Sequence, residues 1–428
     1  MNAVKQERWL RIIPVALIMY TISYIDRTNV SLALDPSLST MMRDLMMDDR
    51  LKGQAAGIFF FGYVLLQIPA GWLASRWSAR KLIAIFLVCW GICAVGCGLV
   101  KTFAQFEVMR FMLGVAESGV YPAVLVLLTH WFPRQERARA NAYWNLCVPL
   151  SVAFSAPITG WLIGLYGWQT MIMMEGALPF LWLPIWLWFI ADHPRNARWI
   201  SSEEREYLET TLAREAVELP QVSKAPLWQS FLRPAVLTMI AAYFLMNCAV
   251  YGLMTFLSEG LKNHAGQSGL EYGILFAIPY GIAGVLMVLV SRHSDKTRER
   301  RGHVALAFGI SGACLIASVL TRPHSFWLSY LFLCLAVPGP FVGMPPFWAI
   351  PAETLPRSVM GAVMGLVNAI GNLGGFLGPF IVGILKKQTG GITIPFIVLG
   401  AGLMAGGALV MLLPKPVEPA ARAEKRSL

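Results

Sequence analysis

Four ionisable residues lie inside stretches of the sequence that are otherwise apolar enough to span a bilayer: Asp26, Arg27, Arg110 and Glu117. An Asp, Arg or Lys at the centre of a spanning helix costs roughly 2.5–3.5 kcal/mol, so each of these groups must face a partner, water or a ligand. Arginine has a planar fork that pairs with carboxylate or sulfonate groups, and a buried carboxylate can carry a proton. These residue types predict anion binding coupled to proton transfer.

The spacing within the first apolar stretch separates the two charges. Tyr20, Tyr24 and Arg27 follow one another at helical intervals of four and three residues, so they share one stripe, whereas Asp26 is rotated by about 100° from Arg27. We therefore expect Arg27 to face a central cavity as the main substrate contact. Asp26 should face a neighbouring helix and take part in proton coupling.

Arg110 and Glu117 are seven residues apart, so they share a helix face at about 10 Å separation, with Tyr121 one turn beyond the acid. We expect Arg110 and Tyr121 to contact substrate and Glu117 to carry a proton. An anion that occupies an arginine withdraws a compensating partner from a nearby acid, which favours the protonated acid. The alternative is that these groups form permanent ion pairs that lock helices together.

Weaker candidates for the cavity wall are the polar residues at membrane depth elsewhere in the chain. Amides and hydroxyls also hold spanning helices together, so packing is the alternative role for each of them. These additional substrate-binding candidates are Tyr63, Asn145, Asn247, Tyr251, Asn368 and Asn372. Glu175, beside Gly176 and Pro179, is interpreted as a structural residue.

The elements that carry these residues are spanning helices. Apolar residues make up 56% of the 428 positions and charged residues 14%, whereas soluble domains are roughly half apolar and a quarter charged. Stretches of about 20 apolar residues recur, which is the length that crosses a bilayer as a helix. We place twelve spans near 9–33, 54–74, 82–100, 106–131, 140–165, 170–191, 234–259, 271–291, 303–320, 326–351, 359–384 and 392–413. The first is too long for a signal peptide and contains Asp26 and Arg27, so we expect the mature chain to keep it.

The positive charge is distributed by membrane side. Of the 35 Lys and Arg residues, 25 lie in the tails and loops on the side of the amino terminus, 8 in the opposite loops, and 2 within the helices. This excess places both termini in the cytoplasm. The net charge of +11 thus indicates orientation and contact with anionic membrane lipids. A nucleic-acid partner is not expected, because the sequence has no basic stripe with interleaved aromatic residues.

The longest polar segment divides the chain into an N-terminal six-helix bundle (1–191), a cytoplasmic linker with a surface helix (192–233) and a C-terminal six-helix bundle (234–428). In the linker, Ser201 is placed to cap a helix, with Glu204 reaching back in a capping box. The two halves echo each other weakly, since Pro133-Arg134 recurs as Pro356-Arg357. A duplicated six-helix unit explains this repetition. The seven cysteines fall within the spans without histidine or carboxylate ligands, so we expect no metal site, disulfide or cofactor.

Several motifs resemble one known family. The segment GWLASRWSARK (71–81) resembles the signature between helices 2 and 3 of the major facilitator superfamily. Three other segments resemble motifs of the anion:cation symporter family within that superfamily. They are YIDRTN (24–29), RFMLGVAESG (110–119) with the later WFP (131–133), and the glycine-rich segment 368–379. Two departures are Ser75, where the signature has an acid, and Ser78, where it has a glycine. They affect the expected charge latch between the bundles more than the fold.

The resemblance implies an all-α integral membrane protein of twelve transmembrane helices in two six-helix bundles, with alternating access to a central site. It further implies a monomer in the bacterial cytoplasmic membrane that imports a small organic anion together with protons. The anion would be a sugar acid, a tartrate-like or aromatic carboxylate, or a sulfonate. In the sugar-acid branch the fifth helix often carries a glutamine, whereas this chain has Asn145-Leu146 in that region, which makes a smaller or less hydroxylated anion plausible.

Two other functional classes are less consistent with the sequence. A proton-coupled exporter usually has a glycine-rich, proline-containing run on the fifth helix, and SAPITG (155–160) lacks the doubled glycines. An enzyme is not expected, since His-Glu-x-x-His, Gly-x-Ser-x-Gly and a phosphate-binding glycine loop with Lys are all missing from the sequence.

Overall fold

The structure, a computed structural model, describes residues 7–217, 231–261, 269–354 and 357–414, and these residues form α-helices, connecting turns and one 3₁₀ turn at Pro194–Asn196. The first half contains α1 (Glu7–Ala33), α2 (Met41–Asp44), α3 (Asp49–Leu65), α4 (Gln67–Arg76), α5 (Ala79–Leu99), α6 (Phe103–Glu117), α7 (Val120–Trp131), α8 (Arg134–Asn145), α9 (Cys147–Gly176) and α10 (Leu178–Phe189). The linker contains α11 (Ser202–Val217). The second half contains α12 (Pro234–Leu261), α13 (Gly269–Thr297), α14 (Arg301–Thr321), α15 (Phe326–Ala336), α16 (Pro338–Thr354), α17 (Arg357–Asn372), α18 (Gly374–Thr389) and α19 (Thr393–Met411).

The helices make twelve membrane crossings. Ten helical stretches of the described chain are long and apolar enough to span a bilayer, and the pair α3 and α4, bent by 41°, adds another. One of the ten, Arg139–Phe189, has 51 residues, which is roughly 75 Å of helix against a hydrocarbon core of about 30 Å. It contains two crossings, separated at Gly167, where φ is 77°. The predicted twelve-helix fold class is confirmed, and its even number of crossings puts both ends on one side, which we call the terminal side.

Polar caps start several spans where the chain re-enters the membrane. The side chain of the residue before the helix accepts a hydrogen bond from a backbone N–H in the first turn, which satisfies one of the orphan donors there. The capping residues are Asp48 for α3, Ser78 for α5, Thr102 for α6 and Ser325 for α15. Short interruptions occur inside several predicted spans, and they fall at Leu66, Ser118–Gly119, Leu146, Ala177, Val337 and Leu373.

The bundles meet along two helix pairs, α3 with α18 and α9 with α13. The backbones of the paired helices touch there because glycines, which have no side chain, lie at the points of contact. A Cβ atom on Gly160 would lie 2.2 Å from the carbonyl oxygen of Gly269, and one on Gly53 would lie 2.3 Å from that of Pro379. These contacts lie in the halves of the helices remote from the terminal side, so the bundles are closed against each other on what we call the far side.

Polar contacts add to this far-side closure. Lys386 pairs with Asp49 at 2.6 Å and Lys387 with Asp48 at 2.7 Å, joining the end of α18 to the start of α3. Tyr272 of α13 donates to Asp35, just after α1. The hydrogen bond from Lys387 lowers the pKa of Asp48, which keeps this exposed carboxylate ionised for the pair.

The linker helix α11 is fastened to the first bundle. The Ser201 hydroxyl accepts from the backbone N–H of Glu204 at 3.2 Å, which confirms the predicted helix start. The Glu204 carboxylate, however, binds the start of α1, where it accepts from the Arg8 guanidinium and from the backbone N–H of Glu7 at 3.0 Å. Arg8 also pairs with Glu136 at 2.7 Å. The expected capping box is thus replaced by a tie between the linker and α1. Linker residues 218–230 and Pro356 of the repeated pair lie outside the described residues.

The glycine contact between the bundles predicts how access to the centre is controlled. Gly160→Ala should push α9 from α13, because overpacking costs about 1–3 kcal/mol. In a background with the seven native cysteines replaced, Val30→Cys serves as a buried reporter. Its labelling by an impermeant maleimide added from the far side should be about fivefold faster or more in Gly160→Ala. Gly281→Ala is the control, since nothing lies within 4 Å of the added Cβ. Equal labelling rates in the two variants would contradict this role for the contact.

Candidate functional site

The centre of the molecule is organised by α1, which packs against α9 and α10 of its own bundle and also contacts α12 of the other. Asp26, Arg27, Arg110 and Glu117 all have an exposed fraction of 6% or less. Charged groups withdrawn this far from water require partners. The structure supplies those partners from α1, α3, α5 and α6.

Arg27 and Glu117 form an ion pair across α1 and α6, with 3.2 Å between Nη1 and Oε2. The Ser23 hydroxyl donates to the same carboxylate oxygen at 2.6 Å, and Arg27 also donates to the Ser23 carbonyl at 2.9 Å. Ser23 thus holds both members of the pair. Within the described chain, Nε of Arg27 and Oε1 of Glu117 have no hydrogen-bond partner.

Aromatic rings surround the Arg27 guanidinium. Its central carbon lies 4.6 Å from the ring centroids of Tyr24 and Phe59, and 5.3 Å from that of Tyr63. Rings at these distances stabilise a cation through their electron-rich faces. The Tyr63 hydroxyl lies 3.3 Å from that of Tyr20. The predicted residue Tyr63 therefore belongs to the arginine's immediate surroundings.

Asp26 points away from Arg27, as its helical rotation predicts. Its carboxylate accepts from the indole N–H of Trp90 on α5, and the Asn29 amide lies 3.5 Å from its other oxygen. Within the described residues, the hydrogen-bond donors to this carboxylate are therefore neutral side chains, and no cation forms an ion pair with it.

Arg110 approaches the same region from α6. Its Nη1 donates to the backbone carbonyl of Asp26 at 3.2 Å, and its guanidinium carbon lies 5.1 Å from the ring centroid of Phe59. Arg110 makes no ion pair within the part of the chain that the structure describes, and its Nε has no partner there. The alternative of an Arg110–Glu117 lock is replaced by the pair between Glu117 and Arg27.

Two small adjoining cavities lie between the bundles at this level. The first, which we call the arginine cavity, is lined by Arg27, Val30, Ser31, Ala56, Phe60, Arg110, Tyr251, Met254, Thr255 and Pro379. The second is lined by Tyr24, Val148, Val152, Met246, Asn247, Val250, Tyr251, Met254, Pro340, Phe341 and Met344. Residues from both bundles thus face a shared central space, and Tyr251 borders both cavities.

Of the four predicted substrate contacts in the second bundle, two line the cavities and two lie elsewhere on α17. Asn247 and Tyr251 line the cavities, although the Asn247 amide also donates to the Tyr243 carbonyl at 3.1 Å. Asn368 instead bridges the bundles, with its amide donating to Gln67 at 3.2 Å. Asn372 is buried near the end of α17.

The remaining candidates lie beside the cavities. Tyr121 packs against Tyr20 and Trp144, with ring centroids 5.8 Å and 5.0 Å away. Asn145 donates its amide to the Asn141 carbonyl at 2.8 Å, within its own helix. Neither lines the arginine cavity in this conformation.

Sequence reasoning missed two supporting residues. Ser23 precedes Arg27 by one helical turn, a spacing that could have identified it, whereas the pairing of Trp90 with Asp26 is a tertiary contact without a local signal. Glu175 accepts from Thr159 at 2.7 Å, across the break at Gly167. This hydrogen bond ties two crossings together, which fits its structural interpretation.

Comparisons with known proteins point to one family. A family model described as Major Facilitator Superfamily matches residues 16–379. A relative from Agrobacterium vitis named "Putative tartrate transporter" is 33% identical, covering 95% of this chain and 91% of the relative. A relative from Acinetobacter baumannii named "Quinolone resistance transporter" is 31% identical, covering 95% and 94%. The crystal structure of a bacterial homologue of the human lysosomal transporter Spinster, inward-facing and occupied, superposes with a TM-score of 0.76 at 17% identity, covering 96% and 98%.

The Trp90–Asp26 contact predicts a specific energetic coupling. Trp90→Phe leaves Asp26 without its indole donor, which should cost about 1–3 kcal/mol and lower the melting temperature in detergent. Trp161→Phe, on a half-exposed side chain, should change it little. In an Asp26→Ala background the effect of Trp90→Phe should shrink, because the shared interaction has already been lost. Equal effects in both backgrounds would show that Trp90 acts by packing alone.

Proposed function

The chain belongs to the major facilitator superfamily, and from that premise we propose that it is a proton-coupled symporter that imports a small organic anion. It is a multi-pass membrane transporter and not an enzyme. In the proposal it works as a monomer in the bacterial cytoplasmic membrane, with both termini in the cytoplasm as the loop charges favour. The terminal side is then cytoplasmic and the far side periplasmic. Asp26 and Glu117 carry the protons, and Arg27 is the main substrate contact.

The observation that carries this proposal is the ion pair between Glu117 and Arg27, since the Arg27 side chain also lines a cavity between the bundles. A carboxylate or sulfonate entering the cavity offers Arg27 a second anion in place of Glu117. The planar fork of arginine suits such groups because it donates two parallel charge-assisted hydrogen bonds. An incoming anion therefore competes with Glu117 for the same cation.

This competition provides the coupling. Glu117 lies in a nearly water-free site, where an ionised carboxylate that has lost its cation is costly. Protonation removes that cost, so anion binding and proton binding favour each other at the same pair. Asp26, held by the neutral indole of Trp90, offers a second position for a proton one residue from the substrate arginine.

Proton coupling also supplies the driving force. A monoanion that enters against a negative interior is opposed by roughly 2.3 kcal/mol per 100 mV, and each accompanying proton offsets one charge. An inward proton gradient can then accumulate the anion. The name of the tartrate-transporter relative supports a small carboxylate as cargo.

A proton-coupled exporter of a small organic compound is the second candidate. The observation that favours it is the relative named as a quinolone resistance transporter, which covers nearly the whole chain. Export and import differ in the relation between the two gradients. An exporter moves its compound against the direction of proton flow, whereas a symporter moves it with the protons.

Vesicles that contain the purified protein should accumulate a carboxylate or sulfonate only when an inward proton gradient is imposed. Glu117→Gln keeps the shape of the protonated acid, so it should retain exchange of substrate across the bilayer while losing gradient-driven accumulation. Glu175→Gln is the matched control, because it also changes a buried acid but preserves an oxygen that can accept from Thr159. That control should still accumulate substrate.

The outcomes separate the candidates. Accumulation driven by a proton gradient of opposite direction would support export. Full accumulation by Glu117→Gln would remove this acid from the proton pathway, and failure of every tested anion to move would contradict the proposed function.

Arg27→Lys keeps the positive charge but loses the paired donors of the guanidinium. We expect the affinity for the transported anion to fall by about tenfold or more, since a hydrogen bond to a charged group is worth about 1.5–3 kcal/mol. Titration of the purified variant measures this change. Arg43→Lys, on an exposed far-side residue, is the control. An unchanged dissociation constant in Arg27→Lys would count against the substrate contact.

A further inference from the structure

The arginine cavity contains two guanidinium groups, and only one of them is matched by a carboxylate. Arg27 pairs with Glu117, whereas Arg110 donates to the uncharged backbone carbonyl of Asp26. Both side chains line the cavity from helices of the same bundle. A single anionic group engages one arginine fork fully, so the second guanidinium is not accounted for by a substrate with one charge.

The unused donors indicate where a ligand binds. Nε of Arg27 and Nε of Arg110 have no acceptor within the described chain, although both side chains are at least nine-tenths buried. A buried donor without a partner costs about 1–3 kcal/mol, and more when it is charged. Each arginine therefore gains from its own acceptor, and the two sets of donors lie on one cavity.

We propose that the substrate is a short-chain dianion, a dicarboxylate or sulfocarboxylate, whose two anionic groups bind Arg27 and Arg110. This inference rests on the proposed function and narrows its substrate class. Asp26 and Glu117 remain the proton carriers, and Arg110 selects for the second charge.

In this conformation the arginine cavity has room for about one water molecule, so a ligand requires the bundles to move apart, and the wall it then meets suits a short molecule with few hydrogen-bond donors. Most of the wall is apolar, including Val30, Ala56 and Met254. The Ser31 hydroxyl donates to the carbonyl of Arg27 at 2.9 Å, and the Thr255 hydroxyl donates to that of Tyr251 at 2.8 Å. Both oxygens can still accept a hydrogen bond. The wall thus offers strong donors for two anionic groups and only weak acceptors for one or two hydroxyls between them.

The local charge balance agrees with two charges on the cargo. The titratable groups that act on the two arginines are Asp26, Glu117, Tyr24, Tyr63, Tyr251 and Cys97. The tyrosines and the cysteine are neutral in their ordinary forms. Two arginines and two ionised acids therefore sum to zero. A bound dianion together with two protonated acids restores zero, whereas a monoanion with two protons leaves one uncompensated positive charge in a nearly water-free site.

The test compares molecules that differ by one charge at constant length. Dissociation constants are measured at pH 7 for succinate, tartrate and sulfoacetate, and for the monoamides of succinate and tartrate. At least one dianion should bind wild-type protein, and its monoamide should bind about tenfold more weakly or worse, because one charge-assisted contact is lost. This comparison uses the unmodified chain, so it does not depend on the folding of a variant.

Arg110→Gln then assigns the second charge to its residue. In this variant the dianion should bind about tenfold more weakly, whereas the affinity for the monoamide should stay within about threefold of wild type. Arg110→Lys keeps the charge and should retain part of the preference for the dianion. Equal weakening of both probes in Arg110→Gln would indicate a structural role and overturn the assignment.

Different results would overturn the dianion inference and the proposed symporter function. A wild-type protein that binds the monoamide as tightly as the dianion, or that accumulates only monoanions with protons, would overturn the dianion inference and leave the symporter intact. A protein that neither binds nor accumulates anions of either class would overturn the proposed function itself.

Discussion

Charge is costly in a low-dielectric interior, and this cost determines which groups at the centre of the molecule need partners. Two acids and two arginines lie within a few helical turns of one another, and each is nearly excluded from water. Such groups persist only when partners compensate them. In the Ser23, Arg27 and Glu117 cluster, Ser23 accepts a hydrogen bond from the cation and donates one to the anion, while Asp26 depends on a neutral indole and Arg110 on a backbone carbonyl. In the proposed function, this unequal compensation makes the site responsive to an incoming anion and to protons.

The fold places this cluster between the two bundles, where the proposed function requires exposure to each membrane side in turn. Both arginines belong to the first bundle, yet the cavity they face is completed by residues of the second, such as Tyr251 and Thr255. Glycine contacts and lysine–aspartate pairs close the bundles on the far side. These contacts join residues of different bundles, so in the proposed function we expect alternation of access to change the interface more than the packing within either bundle.

The sequence predicted much of this arrangement because its signals were local. The lengths of the apolar stretches predicted the number of crossings. The rotation of about 100° per residue in a helix predicted that Asp26 and Arg27 lie on different faces of α1. The partners of these residues are tertiary, and no spacing within one helix reveals them. Glu117 pairs with Arg27 of another helix instead of with Arg110, and Trp90 of a third helix holds Asp26. Asn145 stays a predicted substrate contact, and in this structure its amide donates to the Asn141 carbonyl one turn earlier, a contact that the sequence analysis did not predict.

The central claim is that cargo and protons neutralise the same buried cluster, so binding of one must change binding of the other. Proton uptake on substrate binding measures this directly, by following the pH of a weakly buffered solution of purified protein in detergent as the transported anion is added. Wild-type protein should take up protons as the anion binds, and Glu117→Gln should take up fewer for the same amount of anion bound. Saturating binding of the anion with no proton uptake by wild-type protein would contradict the central claim.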